Sequence, residues 1–291
     1  MRIVSYRRDG EARYGIVDAT SDVTDPTGAR IADVCDRIAG APVAVEDFLR
    51  RIDDFRKEIS DMNEWDFVFE DLDLLPAVPH PQNIICIGVN YVDHASETGD
   101  EVPSYPLIFT KFTSSIAAHG TAIRIPRIST QPDYEAELGL VISAPASNVS
   151  YEDALDYVGG YFTFNDVSAR DVQNRTSQWV QGKGFPSFAP TGPYLVTADE
   201  VGDPQNLEIR LTIGDIVRQK ANTRDMVFDV RTIVSYVSSV CDLRPGDIIA
   251  TGTPSGVGVA LDPPRFLTHG DIVKVEIDRL PTLVNEVEAH E

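Results

Sequence analysis

Asp133-Tyr-Glu135-Ala-Glu137-Leu-Gly-Leu-Val-Ile142 alternates acidic or small residues with apolar ones. A strand turns successive side chains to opposite faces, so Glu135 and Glu137 share one face while Tyr134, Ala136, Leu138, Leu140 and Ile142 take the other. The apolar face is built for a core, which holds the two carboxylates on a rigid platform. Gly159-Gly-Tyr-Phe-Thr-Phe-Asn-Asp166 reads as a second strand that ends in an acid just before a helix start. Three carboxylates delivered from strands make a hard, oxygen-rich site of the kind Mg2+ or Mn2+ accepts, with water ligands left for a substrate to displace. Glu-x-Glu also occurs on solvated faces of antiparallel sheets. Here the strand ends in an unbroken Leu-Val-Ile run, and the polar residues Arg170, Gln173 and Lys183 follow the third acid.

Composition limits what such a site can serve. The chain has 291 residues, 42% apolar and 24% charged, with a formal charge of -21. That length buries a sizeable core in one large or two modest domains. The negative charge argues against nucleic acid and anionic membranes as partners, because both need clustered Lys and Arg. It suits a protein that concentrates divalent cations, and it equally suits adaptation to salt. Cys35, Cys86 and Cys241 show no paired metal spacing and sit among apolar neighbours, so they read as small core residues in a reducing compartment. No charged-then-apolar leader opens the chain and no apolar run reaches spanning length, which makes the cytoplasm the expected setting.

Around the acidic strand the remaining chain divides at a proline cluster. Residues 2–6 and 13–18 alternate around Asp9-Gly10, a strong hairpin signal. Ile31, Val34, Cys35 and Ile38 recur at helical spacing, as do Val45, Phe48, Leu49, Ile52, Phe55 and Ile59, which predicts two short helices. Pro76, Pro79 and Pro81 then break the pattern, and the reading is a small N-terminal α/β domain over 1–78 and a larger domain over 79–291.

The larger domain opens with the apolar strand Asn83-Ile-Ile-Cys-Ile-Gly88, which runs into a segment carrying His94 and Glu97. Three residues apart on a helical turn, the two are neighbours, and a carboxylate that close orients an imidazole as a general base. A plain surface pair has the same spacing. Gly99, Pro103 and Pro106 bracket a short polar segment suited to a lid. Ser150 with Asp153, and Ser168 with Asp171, have capping-box spacing. Arg170 and Gln173 fall in the first turn after Asp166, where their donors could reach an anion, and Lys183 lies in a glycine-flanked loop, near a ligand or simply solvated. The C-terminal part is β-rich, with a hairpin at Gly214-Asp215 and helical spacing over 228–240. The glycine-rich loop over 251–258 lacks the Gly-Lys-Ser/Thr ending of a phosphate loop, but its backbone N–H groups and the Thr253 hydroxyl could receive a carboxylate. No Gly-x-Ser-x-Gly elbow points to a serine hydrolase.

Five motifs in order give these pieces a common setting: Ile-Gly-Val-Asn-Tyr-x-x-His94, Glu135-x-Glu137-Leu, Asn165-Asp166-Val-Ser-Ala-Arg170-Asp-x-Gln173, Gly182-Lys183, and Pro245-Gly-Asp-Ile-Ile-Ala-Thr-Gly-Thr253-Pro-x-Gly-Val-Gly258. Over residues 83–278 the chain resembles the fumarylacetoacetate hydrolase family, in its acylpyruvase-like bacterial branch. The resemblance implies an α+β, β-rich fold, a mixed β-roll or sandwich with the smaller N-terminal domain, and a homodimer. It implies Glu135, Glu137 and Asp166 as ligands of Mg2+ or Mn2+, and His94 and Glu97 as a catalytic dyad on a short lid helix. Lys183 falls on the family's catalytic loop lysine. Three departures stand out: Lys183-Gly-Phe-Pro186 where the family commonly reads Lys-Ser-Phe-Asp, Gly214-Asp215 for an Asn-Gly hairpin, and Arg279-Leu-Pro281 for a late Gly-x-Gly. The first sits beside the expected pocket and bears on substrate identity.

The implied activity is metal-dependent hydrolysis of the carbon–carbon bond of an acylpyruvate such as maleylpyruvate, fumarylpyruvate or a 2,4-diketo-3-deoxy sugar acid. In that scheme His94, oriented by Glu97, activates water, Lys183 helps stabilise the departing enolate, Gly252 and Thr253 hold the substrate carboxylate, and Arg170 and Gln173 give outer support. The same residues serve oxaloacetate decarboxylation or 2-hydroxyhepta-2,4-diene-1,7-dioate isomerisation if water is excluded. A non-catalytic metal- or ligand-binding protein is the remote alternative.

Overall fold

The computed structural model describes residues 1–289. Its architecture is β-rich with few helices: two large mixed sheets share a core without closing into a barrel, and Pro132–Asp133 pairs with Ser168–Ala169 in a separate two-stranded ladder. At the centre of the larger sheet lies Ala136–Ile142, flanked by the antiparallel strands Val158–Asn165 and Ile248–Ala250. Ile248–Ala250 pairs in parallel with Ile84–Gly88, which pairs antiparallel with Leu107–Lys111. Every residue of Ala136–Ile142 is buried, because helices or the second sheet cover both faces. Leu138, Leu140 and Ile142 join Leu211 and Val275 of the second sheet in one core, while Val141 packs with Phe162 and Ile248 in another.

The second sheet runs in the order Ile216–Asn222, Glu208–Ile213, Ile272–Ile277, Leu283–Glu288 and Ile123–Arg124. Asp229 caps the helix Val230–Val240 by accepting a hydrogen bond from the Thr232 N–H at 2.7 Å, as its sequence position invites. The N-terminal hairpin forms as read, with Asp9 and Gly10 both at positive φ in the turn between Arg2–Arg8 and Glu11–Val17. Its first strand pairs with Leu195–Thr197, so the large sheet crosses position 78 without a break in hydrogen bonding.

Several local expectations differ from what forms. Ile31 belongs to the strand Arg30–Asp33, paired with the hairpin, and only Val34–Arg37 is helical; the cross-strand ladder overrides the helical spacing. The second predicted helix is split at Arg51 into Val45–Arg50 and Ile52–Ser60. Ser150 and Asp153 do bond each other, but the segment is a 3-10 helix over Ala154–Tyr157, and the next strand starts at Val158. The Ser168–Asp171 box is absent: Ser168 lies in a strand, and Asp171 instead accepts from Ser129 and the Thr130 N–H. Cys86 is buried and Cys35 half-buried, whereas Cys241, just past a helix end, is exposed and no core residue.

Candidate active site

The strand Ala136–Ile142 and the loop before it deliver Glu135 and Glu137, and the end of Val158–Asn165 delivers Asp166 alongside them. Register does this: Ala136 is opposite Asn165, and the Asp166 N–H donates to the Glu135 carbonyl at 2.9 Å. All three acids are buried, and each offers an oxygen within 4.8 Å of the others. A cavity of about 310 Å3 opens above them, lined by Glu135, Glu137, His94, Glu97, Lys183 and Thr253 among others.

The acids differ in how their charge is balanced. Lys183 donates to Glu135 Oε2 at 2.6 Å and to Asp166 Oδ2 at 2.8 Å. Arg170 bonds Asp133 at 2.8 Å, and a second guanidinium nitrogen lies 2.7 Å from Glu135 Oε1, near enough for attraction but not aligned as a hydrogen bond. Burial alone would raise the Glu135 carboxyl; Lys183, Arg170 and His94 outweigh it and hold it down at about 2. Glu137 has one hydrogen-bond donor, the Gly252 N–H at 2.8 Å. Burial, then the charges of Asp166 and Glu135, push its carboxyl well above the usual range.

That imbalance is the test of whether a metal fits. A buried carboxylate between two others needs compensating charge, and oxygen donors in this spacing suit a hard divalent cation. The Glu135, Glu137 and Asp166 set therefore fits Mg2+ or Mn2+.

His94 and Glu97 share one face of the helix Val92–Thr98, where His94 Nδ1 meets Glu97 Oε1 at 2.8 Å. Glu97 Oε2 accepts from the Gly256 N–H at 2.8 Å, which ties the helix to the glycine-rich loop. The spacing was legible; the loop contact was not. Gly252 and Thr253 lie in the first part of that loop. The Gly252 N–H is engaged by Glu137, so it supports a carboxylate of the acid triad, and the Thr253 hydroxyl accepts from Gln219 at 2.8 Å while lining the cavity. Arg170 and Gln173 share the short helix Arg170–Gln173 and bond each other at 3.2 Å. Lys183 ends the helix Val180–Lys183 instead of sitting in an open loop, and its Nζ lies 5.0 Å from the centre of the Phe109 ring.

Other residues belong to this site that spacing did not single out. Lys111, wholly buried, donates to Asp166 Oδ1 and to the Val167 carbonyl, so Asp166 is held from both sides by lysines. Burial lowers the Lys111 ammonium against the opposing pull of Asp166. Asp133 accepts from Arg170 and from the N–H groups of Gly258 at 2.7 Å and Val259 at 3.1 Å, joining the acidic strand to the far end of the loop. Gln219, from the second sheet, bonds the Ala136 N–H at 2.8 Å as well as Thr253. A lysine ending a strand and a glutamine inside one carry no local signal of such roles.

A β-rich fold with a buried acid triad, an adjacent His–Glu pair and a glycine-rich loop has the makings of an enzyme site. Residues 83–288 match the family model of the fumarylacetoacetate (FAA) hydrolase C-terminal domain, and the chain belongs to the fumarylacetoacetate hydrolase family. The chain is 46% identical over 234 residues to the mitochondrial oxaloacetate tautomerase of Xenopus laevis, covering 79% of this chain and 73% of that protein. Among solved structures it resembles maleylpyruvate hydrolase from Sphingobium sp. SYK-6 in complex with manganese(II) and pyruvate, with TM-score 0.81 and 29% identity over the whole of both chains. It also resembles 2-hydroxyhepta-2,4-diene-1,7-dioate isomerase from Mycobacterium marinum, with TM-score 0.79 and 30% identity over 99% of this chain and 98% of that one. Hydrolases, isomerases and tautomerases thus share this framework. No helix among the described residues is long and apolar enough to cross a membrane.

Proposed function

We propose that this protein is a divalent-cation-dependent hydrolase of acylpyruvate-type 2,4-dioxo acids, splitting the C3–C4 bond to release pyruvate and a carboxylic acid. The observation that carries it is a His–Glu pair lining one cavity together with Glu135 and Glu137, whose oxygens lie within 4.8 Å of one of Asp166. Glu135, Glu137 and Asp166 would hold Mg2+ or Mn2+, which would supply Lewis-acid stabilisation of negative charge developing on the 2-oxo acid.

The chain's own residues do the rest. Glu97 fixes the His94 ring, and His94 takes a proton from water as the hydroxyl adds to the C4 carbonyl. The C3–C4 bond then breaks, its electron pair staying with C3 as the enolate of pyruvate, and a proton delivered to C3 completes the products. Lys183 keeps Glu135 ionised, bonds Asp166 as well, and adds positive charge where the enolate develops. The Thr253 hydroxyl, oriented by Gln219, donates to the substrate carboxylate. Arg170 and Gln173 brace the acids from behind.

A second reading, tautomerisation of a 2-oxo diacid, is favoured by the 46% identity to an oxaloacetate tautomerase. It uses the same enolate, with His94 moving a proton between carbon and oxygen and no water added. Oxaloacetate decarboxylation is a third use of that enolate. The test is turnover of an acylpyruvate panel and oxaloacetate with Mg2+, followed by pyruvate release and by loss of the enol. His94→Ala should lower pyruvate release by roughly 10²- to 10⁴-fold, the usual contribution of a positioned base. Enol–keto conversion without any acylpyruvate cleavage would replace the hydrolase reading with the second one.

We further propose a homodimer in a reducing, cytoplasmic setting. The exposed Ile216 and Val217 on the edge strand Ile216–Asn222 and three free cysteines support this. Light scattering of the purified protein tests the assembly.

A further inference from the structure

The charges around the cavity bear on which acylpyruvate it takes, an inference that rests on the proposed 2-oxo acid site. A substrate whose acyl half carries a second carboxylate needs a cation to meet it, because a desolvated charge without a partner is strongly disfavoured. Two permanent cations line the cavity among the described residues, Arg170 and Lys183. Both are already held between acids at its floor: Arg170 between Asp133 and Glu135, Lys183 between Glu135 and Asp166. His94 is paired with Glu97.

Apart from Arg170 and Lys183, no lysine or arginine lines the cavity among the described residues. Trp179 packs its ring directly over Gly88, so closely that a Cβ there would meet it at 2.5 Å, and stacks edge-on against Phe109 at 5.4 Å. Val259 and Ala260 line the cavity as well. The lining also includes Thr98, Asn174 and Asp100, the last a carboxylate that would repel another. Arg175, one residue beyond Asn174, is turned away onto the Asp171 and Ile128 carbonyls. The segment between Gly99 and Pro106, which follows the His94 helix, contains Asp100 and Glu101 and no lysine or arginine.

We infer that the acyl half of the substrate is uncharged: the cavity takes a 2,4-dioxo acid with an alkyl, aryl or hydroxyalkyl end beside Trp179 and discriminates against dicarboxylates. This would set the chain apart from a maleylpyruvate hydrolase despite the shared framework, since maleylpyruvate carries a carboxylate at that end.

The test separates this inference from the proposed reaction. 2-Oxopentanoate and 2-oxoglutarate have five carbons each and differ in a methyl against a carboxylate at the far end. Neither is an acylpyruvate, so their binding to the Mg2+-loaded protein, by calorimetry, reports the wall alone. The expected result is tighter binding of 2-oxopentanoate by about tenfold or more. Trp179→Arg and, independently, Val259→Lys should move that ratio toward 2-oxoglutarate, with melting curves showing that each variant is folded. Equal or tighter binding of 2-oxoglutarate by the unmodified protein overturns the inference. Methyl preference together with failure to cleave any neutral acylpyruvate upholds the inference and overturns the hydrolase reading instead.

Discussion

At the scale of single residues, Glu135 and Glu137 illustrate how position within one cluster sets opposite behaviour. Both are buried, but Glu135 faces Lys183 and Arg170 while Glu137 faces two carboxylates and a single N–H group. In the metal-free protein the Glu137 carboxyl is raised, so its contribution to stability is full below the ordinary value of 4.5 and is lost as pH rises through the raised one. Glu135 runs the other way: its contribution is present above 4.5 and is lost as pH falls toward about 2. A divalent cation bound at the proposed site would take up the charge that Glu137 acquires on deprotonation. The melting temperature gained on adding Mg2+ should therefore grow as pH rises above 4.5, measured by calorimetry at matched ionic strength. A gain independent of pH would contradict this account of Glu137. The two glutamates were legible from alternation alone, because a period of two fixes the face. Lys111 was not, since nothing in Leu107-Ile-Phe-Thr-Lys111 separates a buried partner of Asp166 from a lysine at a strand end reaching solvent.

At the scale of elements, the site is a junction between a strand platform and a loop that closes over it. Three glycine N–H groups help fasten the loop after Ile248–Ala250: Gly252 to Glu137, Gly256 to Glu97, and Gly258 to Asp133. Gly252 has φ +98 and its missing Cβ would sit 2.7 Å from Asn90 Cβ and 2.9 Å from the Ile87 carbonyl, so no other residue fits without moving the backbone. Gly252→Ala should displace the N–H from Glu137, destabilise the fold by about 1–3 kcal/mol and weaken Mg2+ binding. Chemical denaturation and metal titration check both, and a variant with unchanged metal affinity would show the contact to be incidental. The glycine-rich character of this loop was readable, and its fastening was not: hydrogen bonds between residues more than a hundred positions apart leave no local pattern. The failed Ser168 box has a similar cause, since Asp171 finds Ser129 and Thr130 across the fold in preference to its own helix. Ile31 likewise follows the hairpin it pairs with and not its helical spacing.

At the scale of the whole molecule, the division at 78/79 remains a proposal about modules, because one sheet and one apolar core run through both: Ile3, Tyr14 and Phe48 pack in the same cluster as Val141, Phe162 and Ile248. The formal charge of -21 acts over this entire framework. Self-repulsion between exposed acids is screened within about 10 Å at 0.1 M salt and within about 3 Å at 1 M, so the melting temperature should rise as KCl is increased over that range. A flat or falling curve would mean that the surface acids are already compensated by the many surface ion pairs such as Arg37 with Glu64 and Asp66.

The claim on which the rest depends is that Glu135, Glu137 and Asp166 hold a divalent cation on which a 2-oxo acid docks. Titration of Mn2+ into the protein, followed by electron paramagnetic resonance with and without oxalate as a 2-oxo acid mimic, tests it most directly. The account predicts one tightly held ion per chain, a spectrum changed by oxalate, and loss of both in Glu137→Gln. Mn2+ binding that is absent, or that persists undiminished in Glu137→Gln with no response to oxalate, would contradict it.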